Sequence, residues 1–348
     1  MENTLESLFK KKDQKATGAD EKEKKSELGK ATEIKSEINT ITGGESLEDL
    51  DLEVLKKVLE KYKEMQNVLG ISESEPASEV PARVEQAKEV MGSEFFGSRE
   101  VEKAFGIKVR PEDIPEIPFS REDLERARKL NQFLVLRVDK APDGKPLTLQ
   151  KINEILKGKV KGEKKLLYSD DGTGKIKGDS WYKNEDFPKS DVPKLAWALV
   201  SKEVILNSTS KNYLNQTEEI VNYLKNEVFK GKEIPKVYQE AIAEFEKEKE
   251  AVGELMSSDW KKAAEKLSQL KINQLTRQNP AEVLYDIAIY FQNKEERVLE
   301  NRYAWTTRRD SGGELVGVGR FDSDGVFVAR GTPVGSHDNL GVCVSRSL

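Results

Sequence analysis

Apolar side chains recur at three- and four-residue spacing through Leu52, Leu55, Leu59, Tyr62, Met65 and Leu69, and Gly70 follows where a C-cap glycine stands. The spacing predicts one amphipathic helix of about five turns. Helices are also predicted near Pro81 to Met91 and from Ser98 to Phe105, closed by Gly92 and Gly106. Ser120, with Asp123 three residues on, predicts a capped helix start. The apolar runs Phe133 to Val138 and Leu195 to Ile205 predict buried strands, Asp143 and Gly144 a turn, and Thr148 the start of a short helix. From about Gln216 to Asn293 the helical period dominates in four segments: Thr217 to Phe229, Pro235 to Leu255, Asp259 to Leu270 capped by Ser258, and Pro280 to Phe291.

Near residue 300 the pattern changes from helical to strand-like. Asp310 to Gly313 and Asp324 with Gly325 are hairpin signals, and Leu315 to Phe321 alternates between them. Val326 and Val328 are placed on one face, Phe327 and Ala329 on the other. Leu340, Val342 and Val344 repeat the alternation and predict a final strand tied into a sheet. Between these strands, Ala329 to Asn339 reads as an eleven-residue loop of small and polar types with no evident core role. The segment RPEDIPEIPFS, with three prolines, is expected to be extended. The fold class is therefore α+β.

Composition divides the chain further. Residues 1–45 hold nine lysines and ten acidic groups with few large apolar side chains, so they are expected to form a disordered, charge-balanced tail. Residues 46–92 form a helical segment and linker, and 93–348 an α+β globular region built on a mixed helical scaffold. The last part of that region, from about 300, is a module of its own. No lysine follows Lys294, whereas six arginines and eight of the 24 glycines lie in residues 301–348.

The 58 basic and 63 acidic side chains leave a net charge of only -5, which gives no nucleic-acid footprint. No secretory leader or membrane span is read, so a cytoplasmic chain is expected. Cys343 is the one cysteine and His337 the one histidine, which excludes an intrachain disulfide and a zinc site of the usual Cys/His type. No cofactor is expected.

Several motifs dissolve on inspection. GTGK at 172–175 lacks the phosphate-loop spacing and is read as a turn. FDSDG at 321–325 has Arg320 where an EF-hand would place its first ligand. Ser336, His337 and Asp338 are neighbours in one loop, a poor basis for a hydrolytic triad. Arg308 and Arg309 beside Trp305 suit either carboxylate recognition or structure.

The order of Trp305, VGVGRFDSDG at 316–325, a loop around Pro333 and a terminal LGVCVSR at 340–346 resembles the C-terminal region of uncharacterised proteins from small-genome bacteria. It is similar to the variable region of target proteins of diversity-generating retroelements, whose C-type-lectin fold is related to that of formylglycine-generating enzymes. The resemblance covers about the last fifty residues. It implies a lectin-like module in which error-prone reverse transcription at template adenines rewrites chosen codons on an exposed surface. By position, the resemblance makes Trp305, Gly319, Phe321, Gly325, Pro333, Leu340, Gly341 and Arg346 framework. It makes Arg320, Ser323, Phe327, Ala329, Arg330, Gly331, Thr332, Ser336, His337 and Asp338 the ligand-binding positions.

The expectation is a binding protein and not an enzyme, with a protein or small ligand held by the C-terminal surface. Replacing Phe327, Arg330 and His337 together should abolish capture and leave the melting temperature within a few degrees. Two other readings stand beside it: assembly through residues 51–69 as a homo-oligomer, and an enzyme akin to the formylglycine-generating oxidases acting through Cys343.

Overall fold

The computed structural model describes residues 79–157, Leu166 and residues 181–347, together with Lys57, Glu60 and Lys61. The chain divides into two compact units, Met1–Glu79 and Val80–Leu348. The charged tail, the Leu52 stripe, the linker after it and the GTGK turn lie outside the described residues. Lys57, Glu60 and Lys61 are helical.

The second unit opens with helix α1, Glu79–Met91, whose Ala87, Val90 and Met91 are buried in the larger core. This helix therefore belongs with the globular unit, and the boundary falls before it rather than after residue 92. Strand β1 (Phe95–Phe96) and helix α2 (Ser98–Phe105) follow, and Gly106 closes α2 at φ 70° in the left-handed conformation a helix end needs. The proline segment is not wholly extended, because Pro111–Asp113 makes a 3-10 turn that the Arg110 guanidinium locks by hydrogen bonds to Asp113 at 2.7 and 2.9 Å. Helix α3 (Arg121–Lys129) starts at a reciprocal cap: the Asp123 amide donates to Ser120 Oγ at 3.2 Å and the Ser120 amide to Asp123 Oδ2 at 3.1 Å.

Strands β2 (Gln132–Arg137) and β3 (Ala196–Ser201) are buried along their whole length and pair antiparallel, Leu134 opposite Leu199. Between them lie α4 (Leu149–Leu156), which starts after Thr148, and the short α5 (Phe187–Ser190). The helical region contains α6 (Tyr213–Tyr223), α7 (Lys236–Ser258), α8 (Trp260–Gln269), α9 (Lys271–Thr276) and α10 (Pro280–Lys294). Three details depart from the periodic reading. Helix α6 begins one turn before Thr217, because Asn212 accepts from the Asn215 amide at 2.9 Å and Tyr213 is buried at the start. Ser258 ends α7, and the cap of α8 is Asp259, which accepts from the Lys262 amide at 3.2 Å. Helix α9 is too short to show a period.

The C-terminal part supplies β4 (Tyr303–Arg309), β5 (Leu315–Asp322) and β6 (Gly325–Gly331), an antiparallel meander. The predicted final strand is two short ones. β7 (Leu340–Gly341) pairs parallel with β4, and β8 (Ser345–Arg346) pairs antiparallel with β3. The strand orders are β1-β2-β3-β8 and β6-β5-β4-β7, so the segment 340–346 stitches the two sheets together. Leu340, Val342 and Val344 do share a face, and all three enter the second core.

Helix α10 is the pivot of the larger core. Ten of its fifteen residues are buried, and it packs against β2 of one sheet and β5 of the other. Its Asp286 holds Arg137 of β2 at 3.1 and 2.5 Å, and the same guanidinium donates to Ser345 of β8 at 2.8 Å. The meander lies between two cores. Ala304, Val316, Val318, Val326 and Val328 face the larger one, while Trp305 and Leu315 face the second, built on α6 to α9. The alternation of Leu315 to Phe321 holds as geometry, but β5 is buried on both faces up to Gly319, because it is an inner strand covered on each side.

Among the described residues no helix is long and apolar enough to cross a membrane.

Candidate ligand-binding face

Strand β6 is the edge of its sheet, and its register fixes what it exposes. Phe327 lies opposite Gly319, Ala329 opposite Gly317 and Gly331 opposite Leu315. Phe327, Ala329 and Gly331 therefore share one face with Trp305 of β4, and each is half-buried. A Cβ on Gly331 would lie 3.2 Å from the Trp305 ring and one on Gly317 3.4 Å from it, so glycine lets the indole lie flat across the sheet. Gly319, at φ 149°, crosses so close to the Arg302 carbonyl that a side chain has no room.

The next residue, Arg320, sits at a bulge with φ 46°, a left-handed conformation that costs a non-glycine residue about 1 kcal/mol or more. The bulge swings its guanidinium 4.7 Å over the Phe327 ring and 3.7 Å from Asp322. Arg320, Phe327 and Asp322 thus form one accessible cluster beside the turn that carries Ser323.

The loop is shorter than the sequence reading, because Ala329, Arg330 and Gly331 belong to β6 and the irregular stretch is 332–339. That stretch is anchored by its backbone. The Tyr213 amide donates to Pro333 O at 3.0 Å, Ser210 to His337 O at 2.8 Å and Tyr303 to Asn339 O at 2.7 Å. The Arg302 guanidinium donates to Asp338 O at 2.7 Å, and the Gly335 amide closes on Thr332 O at 3.1 Å. Main-chain groups do the anchoring, so Ser336, His337 and Asp338 keep their side chains exposed.

Arg330 departs from the expected face. It continues the Val326 and Val328 side of β6, where its guanidinium lies 5.0 Å over the Trp181 ring. Its Nη1 donates to Asp310 Oδ2 at 2.9 Å, and its Nε lies 3.3 Å from Glu314. Asp310 is a buried acid at the β4–β5 turn, so Arg330 is its counter-ion, and those contacts hold the arginine's pKa above its ordinary value. It is brought to the meander's far end, away from Arg320 and Phe327.

The eight framework positions, Trp305, Gly319, Phe321, Gly325, Pro333, Leu340, Gly341 and Arg346, are all buried. The ten binding positions are all exposed or half-buried, and nine of them, Arg330 apart, stand clear of buried ion pairs.

The sequence reading passed over a second segment. Residues 204–213 run beside the loop: the Ile205 amide donates to Val342 O at 2.8 Å and the Val342 amide to Ser208 Oγ at 3.1 Å. Gly341 allows that approach, since a Cβ there would lie 2.7 Å from Val204 Cβ. Asn207 and Ser210 both adopt left-handed φ, 63° and 57°, and between the anchored Ile205 and these turns Leu206 stands 86% exposed. Val334, within the loop itself, is 45% exposed. The predicted strand Leu195 to Ile205 ends in the structure at Ser201, and the available signal was Leu206, just beyond that predicted strand at the end of an apolar run that the asparagine after it breaks.

Cys343 is buried, donates from Sγ to Ser201 O at 2.7 Å, and burial pushes its thiol pKa far up. Arg308 and Arg309 pair with Asp191 at 3.6 Å and Glu265 at 3.5 Å. Among the described residues no three His, Cys, Asp or Glu side chains are grouped to hold a metal ion. The chain matches no family model, no curated protein and no solved structure.

Proposed function

We propose that the chain is a ligand-binding protein whose recognition surface is the exposed side of β6 and the anchored 332–339 loop, carried on a C-type-lectin-like scaffold. In this reading Arg320, Ser323, Phe327, Ala329, Gly331, Thr332, Ser336, His337 and Asp338 are the contact positions, and retroelement diversification rewrites them. Leu206 and Val334 extend the surface with aliphatic contacts. Arg330 changes role: it supports the meander and reaches the surface only by its exposed edge.

The observation that supports the reading is the division by burial. Positions assigned as framework are buried, positions assigned as contacts are accessible, and the loop between them is fixed through main-chain atoms that do not depend on side-chain identity. A surface built this way tolerates replacement of its contacts while the backbone stays in place. The stacked Arg320 and Phe327, with His337 on the loop that follows β6, give the mixed aromatic and polar chemistry that recognition surfaces use.

Sequencing the 3′ end of this gene from many related cells tests the proposal. Substitutions are expected to cluster at the nine contact codons, with an adenine-biased near-copy and a reverse transcriptase gene close by. Substitutions falling equally on the buried Trp305, Phe321 and Leu340 would refute diversification.

A further inference from the structure

Helix α6 runs into a π-helical turn, Leu224–Val228, closed by the Phe229 amide on Leu224 O at 2.8 Å. Such turns are rare and are frequent at functional sites. Among the described residues six buried side-chain atoms lack a hydrogen-bond partner, and three of them, Arg126 Nε, Tyr238 Oη and Arg346 Nε, belong to side chains gathered here. Arg126 Nη1 donates to Glu227 O of the turn at 3.2 Å. The Tyr238 ring lies 5.2 Å from the ring of Phe229, and the Arg346 guanidinium 5.8 Å from that same ring.

Two of the three cations at this junction are matched. Arg126 lies 3.4 Å from Glu122, and Lys232, over the Phe229 ring, pairs with Asp123. Arg346 is the exception. It is 3% exposed, has no ion pair among the described residues, and donates only to Gln132 Oε1, at 3.5 Å the outer limit of a hydrogen bond. The rings of Phe119 and Phe229, both at 5.8 Å, offset part of its charge but give Nε no acceptor. Asp123, the carboxylate whose charge reaches Arg346, is occupied by Lys232, by the Ser120 amide at 3.1 Å and by the Ser120 hydroxyl at 2.7 Å. Tyr238, 1% exposed, is the second donor without a partner beside it. Burial lowers the pKa of Arg346 and raises that of Tyr238, as loss of water without a fixed partner does. A buried charge left this way is costly, and an anion removes the cost.

We propose that Arg346 and Tyr238 hold one halide ion, chloride, with the Arg346 Nε–H and the Tyr238 hydroxyl as its donors. Both groups can donate, and an ion that only accepts satisfies the two together while supplying the charge that Arg346 lacks. Their near-complete burial selects a single atom over a carboxylate or phosphate, whose further oxygens need donors that phenylalanine rings do not provide. Bound there, the ion ties β8 to the start of α7 and fastens the C-terminal strand to the helical layer. None of the contact positions on β6 or the 332–339 loop takes part, so the site stands or falls independently of the recognition surface.

Thermal unfolding of the full chain in gluconate buffer, with chloride replacing gluconate at constant ionic strength, tests the assignment. Chloride is expected to raise the melting temperature saturably, by about 4 °C at ten times the concentration that half-fills the site. Tyr238→Phe keeps the ring and removes one donor, so it should weaken chloride about tenfold. In gluconate the same variant should be at least as stable as the parent, because it loses only a hydroxyl without a partner. Arg346→Met should lose the chloride response, and if that variant does not fold, Tyr238→Phe still decides. Crystals grown in bromide should show an anomalous peak at hydrogen-bonding distance from Arg346 Nε and Tyr238 Oη. Equal melting in gluconate and chloride, equal stabilisation by sulfate, a chloride response unchanged in Tyr238→Phe, or no bromide peak at Arg346 each overturns the proposal.

Discussion

Replacing Arg330 with alanine is expected to destabilise the fold, although its guanidinium is accessible and the sequence placed it among the contacts. The Asp310 side chain is fully buried, accepting from the Glu314 amide at 2.8 Å and from Arg330 Nη1 at 2.9 Å. Without the guanidinium, that carboxylate and the neighbouring Glu314 face each other with no cation between them. Breaking one side of a wholly buried pair costs about 3–5 kcal/mol, and a hydrogen bond to a charged group contributes about 1.5–3 kcal/mol. Arg330 is 43% exposed, so water compensates in part and a loss of about 2 kcal/mol is expected. For a unit of this size that lowers the melting temperature by about 4–8 °C.

A double-mutant cycle isolates the pair from the lost contact of Arg330 with Trp181. Thermal unfolding of Arg330→Ala, Asp310→Asn and the double variant should give a coupling of about 1–2 kcal/mol, because the neutral amide that replaces the carboxylate no longer requires the cation. Phe327→Ala with His337→Ala is the companion measurement. Its main loss is the Arg320 contact, about 0.5–1 kcal/mol, so melting should fall by about 4 °C at most. The combined Phe327, Arg330 and His337 replacement is therefore unsuited to separating binding from folding. Melting of Arg330→Ala within about 1 °C of the parent, with no coupling to Asp310, would refute the counter-ion role.

Gly341→Ala should lose about 1–3 kcal/mol, since the new methyl must displace Val204 or Ser208 across the contact that anchors 204–208 to the C-terminal segment; faster amide exchange at Ile205 and Val342 reads the loosening, and unchanged exchange at both counts against it. Asp286 has its pKa pushed up to about 6, first by burial and then by Glu282 competing for the Arg137 guanidinium that pulls the other way. An acid whose folded pKa exceeds its unfolded value of 3.8 contributes stability that is present at low pH and lost as pH rises through about 6. Asp286→Asn should flatten the pH dependence of denaturant unfolding between about pH 4 and 6, and an unaltered profile would show that another group sets it.

How far the sequence carried depended on whether a feature was local. The cap at Ser120, the glycine stop at Gly106 and the buried run of β2 are written in three to six adjacent residues and stand close to where the pattern put them, whereas β3 is Ala196–Ser201, shorter than the predicted Leu195 to Ile205. The features that escaped are set by distant partners. Alternation along Leu315 to Phe321 holds as geometry, but burial on both faces follows from α10 on one side and the α6 to α9 layer on the other. The terminal LGVCVSR reads as one strand, yet Leu340 pairs with β4 and Ser345 with β3. That choice is made by two separate sheets far upstream, since Ser345 lies opposite Val200 and Leu340 opposite Tyr303.

The candidate site divides by the same rule. Periodicity was enough to separate Phe327 and Ala329 from Val326 and Val328, because side-chain direction along a strand is local. It also implied that Arg330 shares the valine face, a consequence obscured by assigning Ala329 and its successors to a loop. What periodicity could not supply was the buried acid at Asp310, twenty residues away, that converts an exposed arginine into a structural one. Leu206 was hidden for the complementary reason: an aliphatic side chain after an apolar run reads as core unless the anchoring of Ile205 to Val342 and the left-handed turns at Asn207 and Ser210 are known. An exposed residue held by distant support and an apolar residue held out by distant support are the two cases in which residue type alone misassigns a surface. Arg330 lies on the meander and Leu206 on the segment beside its loop, and together they shift the proposed recognition surface away from Arg330 and toward the edge shared by the 332–339 loop and Leu206.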